Sequence, residues 1–187
     1  MKGNNIKIIS EGAIMVALAT VLSLLKIDLP FGGGVTIVSM LPLVVFAHRH
    51  GTKWGLFTAF VYSVLQLILG LDNVSYATNA VTAAGIILFD YIVAYTVIGL
   101  SAVFGSTRKG VALGICCSFF LRFVCHLITG ALIWGQWMPE EFMGMPMTNP
   151  WIYSCLYNGW YMLAETVLTL IVAMVLYETL KKNFFAK

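Results

Sequence analysis

Six apolar runs divide the chain, and the polar residues within them matter as much as those between. Residues 6–25, 35–47, 54–71, 77–104, 110–134 and 150–182 each read as a helix, against the roughly 20 apolar residues that a membrane span needs. The second run is short, and Pro42 inside it predicts a kink. The fourth and sixth are longer than the ~30 Å hydrocarbon core at ~1.5 Å per residue, so they tilt or protrude. The pattern predicts an all-α integral membrane protein, a single six-transmembrane-helix bundle over residues 1–187.

Charge placement orients the bundle. Lys2 and Lys7 precede the first run, Arg49 and Lys53 follow the second, Arg108 and Lys109 follow the fourth, and Lys181, Lys182 and Lys187 follow the sixth. The alternate connections carry only Lys26. This positive-inside bias puts both termini in the cytoplasm. Composition agrees with a membrane class: 60% of residues are hydrophobic and 10% charged, where a soluble domain has about a quarter charged. Ala17-Leu18-Ala19 resembles a signal-peptide cleavage site, but Ser10 and Glu11 shorten the preceding apolar core and the run continues to Leu25, so a retained helix is expected. The four cysteines, Cys116, Cys117, Cys125 and Cys155, sit in apolar runs without a CxxC pair. They read as buried reduced thiols, with no disulfide frame and no metal site.

Several features then stand out along the chain. Glu11 lies near the cytoplasmic end of helix one, where a carboxylate reaches the interface. Ala13-x-x-x-Ala17 is a small-xxx-small motif that admits a close helix neighbour, either inside the protein or from a partner. The connection 26–34, KIDLPFGGG, is flexible enough for a hinged lid or an ordinary linker. His48, Arg49 and His50 read as an interfacial anchor. Gln66 is placed to hydrogen-bond a ligand or another helix. Asp90, followed by Tyr91 and Tyr95, lies inside helix four at a cost of roughly 2.5–3.5 kcal/mol, so it needs a partner; Arg122 and His126 are the candidates.

Helices five and six supply the rest. Arg122, His126 and Gly130 recur at i, i+4 and i+8 and share one face, ending at Trp134. Tyr157, Tyr161 and Glu165 do the same on helix six, with Asn158 beside them and Tyr153 one turn nearer the outside. Aromatic walls suit a flat heterocycle, and carboxylates with π-faces suit a cation. The site reads as one for a small aromatic, cationic solute arriving from outside. Enzyme motifs such as HExxH and GxSxG are absent, as is a phosphate-binding loop. Six spans without an evident repeat read as one subunit of a transporter, powered by something else.

Four segments, GGGVTIVSMLPLVVFAHRHGTKWGL, FDYIVAYTVIGL, RFVCHLITGALIWGQW and NPWIYSCLYNGWYMLAE, resemble the thiamine-specific substrate-binding subunit, or S component, of energy-coupling factor (ECF) transporters. The similarity covers nearly the whole chain. It implies thiamine bound near the outer face of a multi-pass protein of the bacterial cell membrane, and loop 26–34 acting as the lid. It implies stacking by Trp134, polar contacts from Asp90, His126, Tyr153 and Asn158, orientation by Arg122, and places for Tyr91 and Gly130 in the same site. Tyr157, Tyr161, Glu165 and Gln66 would support those contacts. Asp90 stands where the family typically has Glu, one methylene longer, so a water can bridge it to ligand. Ala13 and Ala17 match the family's docking motif for a transmembrane coupling subunit that sits on two ATPases. ATP hydrolysis would belong to those partners; no cofactor, metal or nucleic acid is implied. The alternatives are an S component for another vitamin or heterocyclic cation, an intramembrane enzyme, or a structural membrane protein.

Overall fold

The computed structural model describes residues 2–29, 34–180 and 185. Gly32 and Gly33 of the predicted lid and Lys181, Lys182 and Lys187 lie outside the described residues. Among the described residues the chain forms the helices α1 (Lys2–Leu24), α2 (Leu41–His50), α3 (Thr52–Leu69), α4 (Ala80–Phe104), α5 (Arg108–Leu132) and α6 (Pro150–Leu180). All but α2 are long and apolar enough to cross a membrane.

The second predicted helix differs from expectation. Residues 35–47 are not one helix: Gly34–Thr36 is a strand, and α2 begins only at Leu41. At ten residues, α2 is about 15 Å long, half the hydrocarbon thickness. Pro42 sits in its first turn, where a missing N–H costs nothing, so it starts the helix rather than kinking it. Residues 41–48 are buried throughout, the pattern of a helix enclosed on all sides. Val16 and Ala19 of α1, Leu43 and Val44 of α2, Tyr62 of α3, Ile98 of α4, Val111 and Ile115 of α5 and Ala173 of α6 form one core around it. This core occupies the end of the bundle nearer Arg49 and Arg108.

Helix α4 is not a uniform α-helix. Asn79 caps it by accepting from Val81 N and Thr82 N, and Thr82 Oγ1 accepts in turn from Asn79 N. Residues Ile86–Ile92 then wind as a π-helix and Val97–Phe104 as a 3₁₀ helix. A π turn is rare and frequently marks a functional site, and this one holds Asp90 and Tyr91. Farther along, Gly99 packs on α3 so closely that a Cβ there would lie 2.4 Å from Leu56 N.

Two short hairpins complete the fold. β1 (Lys26–Asp28) pairs antiparallel with β2 (Gly34–Thr36), Lys26 opposite Thr36. β3 (Glu141–Phe142) pairs with β4 (Met145–Pro146) through a turn with φ +53° at Met143 and +75° at Gly144, the left-handed pair of a tight hairpin. Glu11 ties α1 to the end of α2: it pairs with Arg49 at 2.9 Å and its Oε2 lies 2.9 Å from His50 Nε2. Glu11 and the His48–His50 turn, expected at the interface, thus also clasp α1 to α2. The cysteines also depart from the reading. All four are free, but only Cys125 is buried; Cys116, Cys117 and Cys155 lie on outward faces of α5 and α6, where an apolar thiol suits lipid.

Candidate functional site

At the end of the bundle opposite Arg49, α4, α5 and α6 diverge around a cavity of about 570 Å³. The size falls within the range of small-molecule sites. The π segment of α4 brings Asp90 and Tyr91 to it, α5 brings Arg122, His126 and Gly130, and α6 brings Tyr153, Tyr157, Asn158, Tyr161 and Glu165. Trp134 and Trp137, in a 3₁₀ turn after α5, and Lys26, Gly34 and Thr36 of the β1–β2 hairpin close its sides.

Asp90 is the centre of the polar contacts. Its Oδ1 accepts from the Thr129 hydroxyl and lies 3.2 Å from His126 Nδ1. Its Oδ2 accepts from Trp134 Nε1 at 2.8 Å. The partner of Asp90 is therefore His126, not Arg122. A carboxylate this enclosed is tolerable because two hydrogen-bond donors and the imidazole beside it replace its water. His126 Nε2 is buried with no hydrogen-bond partner among the described residues. If Nδ1 donates to Asp90, Nε2 presents a lone pair.

Arg122 is committed elsewhere. Its Nη1 donates to Glu165 Oε2 at 2.6 Å, and its guanidinium lies 5.0 Å from the centre of the Tyr95 ring. Its Nε has no hydrogen-bond partner among the described residues. Glu165 cancels the Arg122 charge at contact distance, which leaves Asp90 as the carboxylate of the site without a fixed cation beside it. Lys26 stands at the edge and is itself paired with Asp28 at 3.1 Å.

The walls are aromatic. Tyr153, Tyr157 and Tyr161 follow one another along α6, the first pair tilted with ring centres 5.7 Å apart and the second edge-on at 5.9 Å. Phe142 of the second hairpin meets Tyr153 edge-on at 5.3 Å and Tyr157 at 6.0 Å. Tyr76, Trp134 and Trp137 form a second cluster with centres 5.7–5.9 Å apart.

Three expected ligand groups, Asn158, Tyr91 and Gly130, line the cavity and also hold the helices together. Asn158 Nδ2 donates to Ser154 O at 3.0 Å and to His126 O at 3.3 Å, and Oδ1 accepts from Tyr161 OH at 3.0 Å. It staples α6 to α5. Tyr91 OH donates to Gly70 O at 3.0 Å and accepts from Asn73 at 2.7 Å. Gly130 makes room for α6 rather than for ligand alone, since a Cβ there would lie 2.1 Å from Ser154 Oγ. Gln66 does not line the cavity; its amide donates to Ser23 Oγ on α1 at 2.9 Å. Ala13 and Ala17 lie far from the cavity, exposed on α1, while Gly12, Val16 and Ala19 of the same helix turn inward. Tyr95, Thr129 and Trp137 carry no site role in the sequence reading, and Thr36, Asn73 and Ser154 have no place in it, yet all six touch the cavity or Asp90. Thr129 and Ser154 could have been found by helical spacing, three residues from His126 and four from Asn158. Among the described residues no group of three or more His, Cys, Asp or Glu could hold a metal ion.

Comparison with known proteins gives a consistent set. A sequence model of the family described as thiamine transporter protein (Thia_YuaJ) matches residues 9–185. The thiamine transporter ThiT of Bacillus subtilis (strain 168) is 32% identical, over 90% of this chain and 89% of that protein. The thiamine transporter ThiT of Lacticaseibacillus paracasei is 29% identical, over 96% of this chain and 91% of that one. The solved structure of ThiT from Listeria monocytogenes shares the fold with a TM-score of 0.79 over 98% of this chain and all of that one, at 21% identity.

Proposed function

Because the chain belongs to the thiamine transporter family, we propose that it is the thiamine-binding S component of an ECF importer in the bacterial cell membrane. It binds rather than transforms its solute, as the transporter family implies. In this reading α2 completes a six-helix bundle whose termini are cytoplasmic, and the Trp134 end faces outward. Arg49, Lys53, Arg108 and Lys109 at the opposite end support that orientation.

The observation that carries the reading is Asp90, a buried carboxylate without a fixed cation, inside a ring-lined cavity. Thiamine joins a cationic thiazolium to a flat aminopyrimidine. The cation offsets Asp90 and faces the rings, a contact that contributes about 0.5–2 kcal/mol per aromatic. Trp134 stacks on one ring while its Nε1 holds Asp90 in place. His126 Nε2 accepts from a ligand N–H, with Asp90 fixing the imidazole from the other side. Tyr153 forms the facing wall. Arg122, locked to Glu165, sets the polar floor, and Asn158, Tyr91 and Gly130 hold the helices at the spacing that the ligand needs.

Release inward requires energy that this chain does not supply. The exposed Ala13 and Ala17 offer a flat surface on α1 for the transmembrane coupling subunit, and two ATPases below it hydrolyse ATP. Tryptophan fluorescence of the purified protein tests the binding step. Saturable quenching by thiamine is expected, with other vitamins failing to compete. Quenching by a different heterocyclic cation, but not by thiamine, would reassign the ligand.

A further inference from the structure

Glu165 is 2% exposed, and its two oxygens are held by different parts of the chain. Oε2 accepts from Arg122 on α5. Oε1 accepts from Thr36 Oγ1, and Thr36 belongs to β2, the returning strand of the hairpin beside the cavity. This side-chain hydrogen bond ties β2 to α6. The Thr36 hydroxyl also lies 2.7 Å from Ser39 Oγ. Between them, Val38 has φ +48°, a conformation that a β-branched residue adopts only when its surroundings impose it. Its N–H closes the turn on Thr36 O at 2.8 Å, which brings Ser39 back against Thr36.

We propose that Thr36 is a positioning residue that latches the β1–β2 hairpin to the buried Arg122–Glu165 pair and so slows escape of the ligand. The latch takes its ligand from the thiamine reading, but its existence rests on the hairpin's own contacts. Hydrogen bonds to charged groups are the strong ones, so this hydroxyl holds β2 against α6 beside the cavity. Arg122 is held over Tyr95 and by Glu165 at once. The seat of the hairpin and the position of the guanidinium are therefore joined through one carboxylate.

Thr36→Val removes the hydroxyl and keeps the branched Cβ. In stopped-flow fluorescence, thiamine dissociation is expected to accelerate about tenfold, the size of one hydrogen bond to a charged group. Association changes by less than about twofold, since effects at one interface fall mostly on dissociation. Thr36→Ser restores the wild-type rate. Hydrogen exchange of the β1 and β2 amides in ligand-free protein is faster in Thr36→Val and normal in Thr36→Ser. Unchanged dissociation, or unchanged exchange, in Thr36→Val overturns the latch. A wild-type protein that fails to bind thiamine overturns the thiamine reading instead, and the exchange comparison still decides the latch.

Discussion

Replacing Glu165 by methionine leaves the Arg122 guanidinium inside the bundle with nothing but the Tyr95 ring to face it. Both members of the pair are buried, at 6% and 2% exposure, and meet at 2.6 Å. Removing one partner of such a pair costs about 3–5 kcal/mol, because the survivor is an uncompensated buried charge. The ring contact returns at most about 2 kcal/mol. Whole domains hold only about 5–15 kcal/mol, so either single substitution consumes a large share. The double variant Arg122→Met/Glu165→Met removes both charges and leaves only the Thr36 hydroxyl without its acceptor, a penalty of about 1–3 kcal/mol. It is therefore expected to be more stable than Glu165→Met alone. Equilibrium unfolding in mixed detergent micelles, run as a double-mutant cycle, reads the coupling directly. A double variant whose loss equals the sum of the two single losses would refute the reasoning.

Gly130→Ala should lose about 1–3 kcal/mol by forcing α5 from α6, and Ser154→Gly in the same chain should recover part of it, because the clash is with Ser154 Oγ at 2.1 Å; thermal unfolding measures both. Phe142→Ala removes the edge contact that braces Tyr153, about 0.5–1.5 kcal/mol, so thiamine affinity by fluorescence titration should fall roughly threefold to tenfold. Ala13→Trp and Ala17→Trp should bind thiamine normally in the purified protein yet abolish uptake in cells that carry the coupling partners. Normal uptake in both variants removes α1 from the docking surface.

Much of the site was legible because helical spacing converts directly into a face. Arg122, His126 and Gly130 were aligned by the i, i+4, i+8 rule, and so were Tyr157, Tyr161 and Glu165; all six line the cavity. Pairing across helices was less legible. Asp90 had two candidate partners in the sequence, and the choice of His126 depended on the relative rotation of α4 and α5, which no periodicity encodes. The π segment adds to this, since it shifts the angular positions of Asp90 and Tyr91 from those of an ordinary helix. Thr36 was invisible for another reason: its partner lies 129 residues away, on an element expected to be helical. For Gln66 the sequence leaves ligand and another helix as alternatives, and its amide bonds Ser23 on α1. Pro42 was read as a kink because the start of α2 could not be located within a continuous apolar run.

Calorimetric titration of the purified wild-type protein and its Asp90→Asn variant with thiamine tests the central claim most directly. Loss of the cation's counter-charge should leave one saturable site in the wild type and weaken it at least tenfold in the variant, about 1.4 kcal/mol or more. Equal affinity in the two proteins, or no saturable binding in the wild type, would contradict the account.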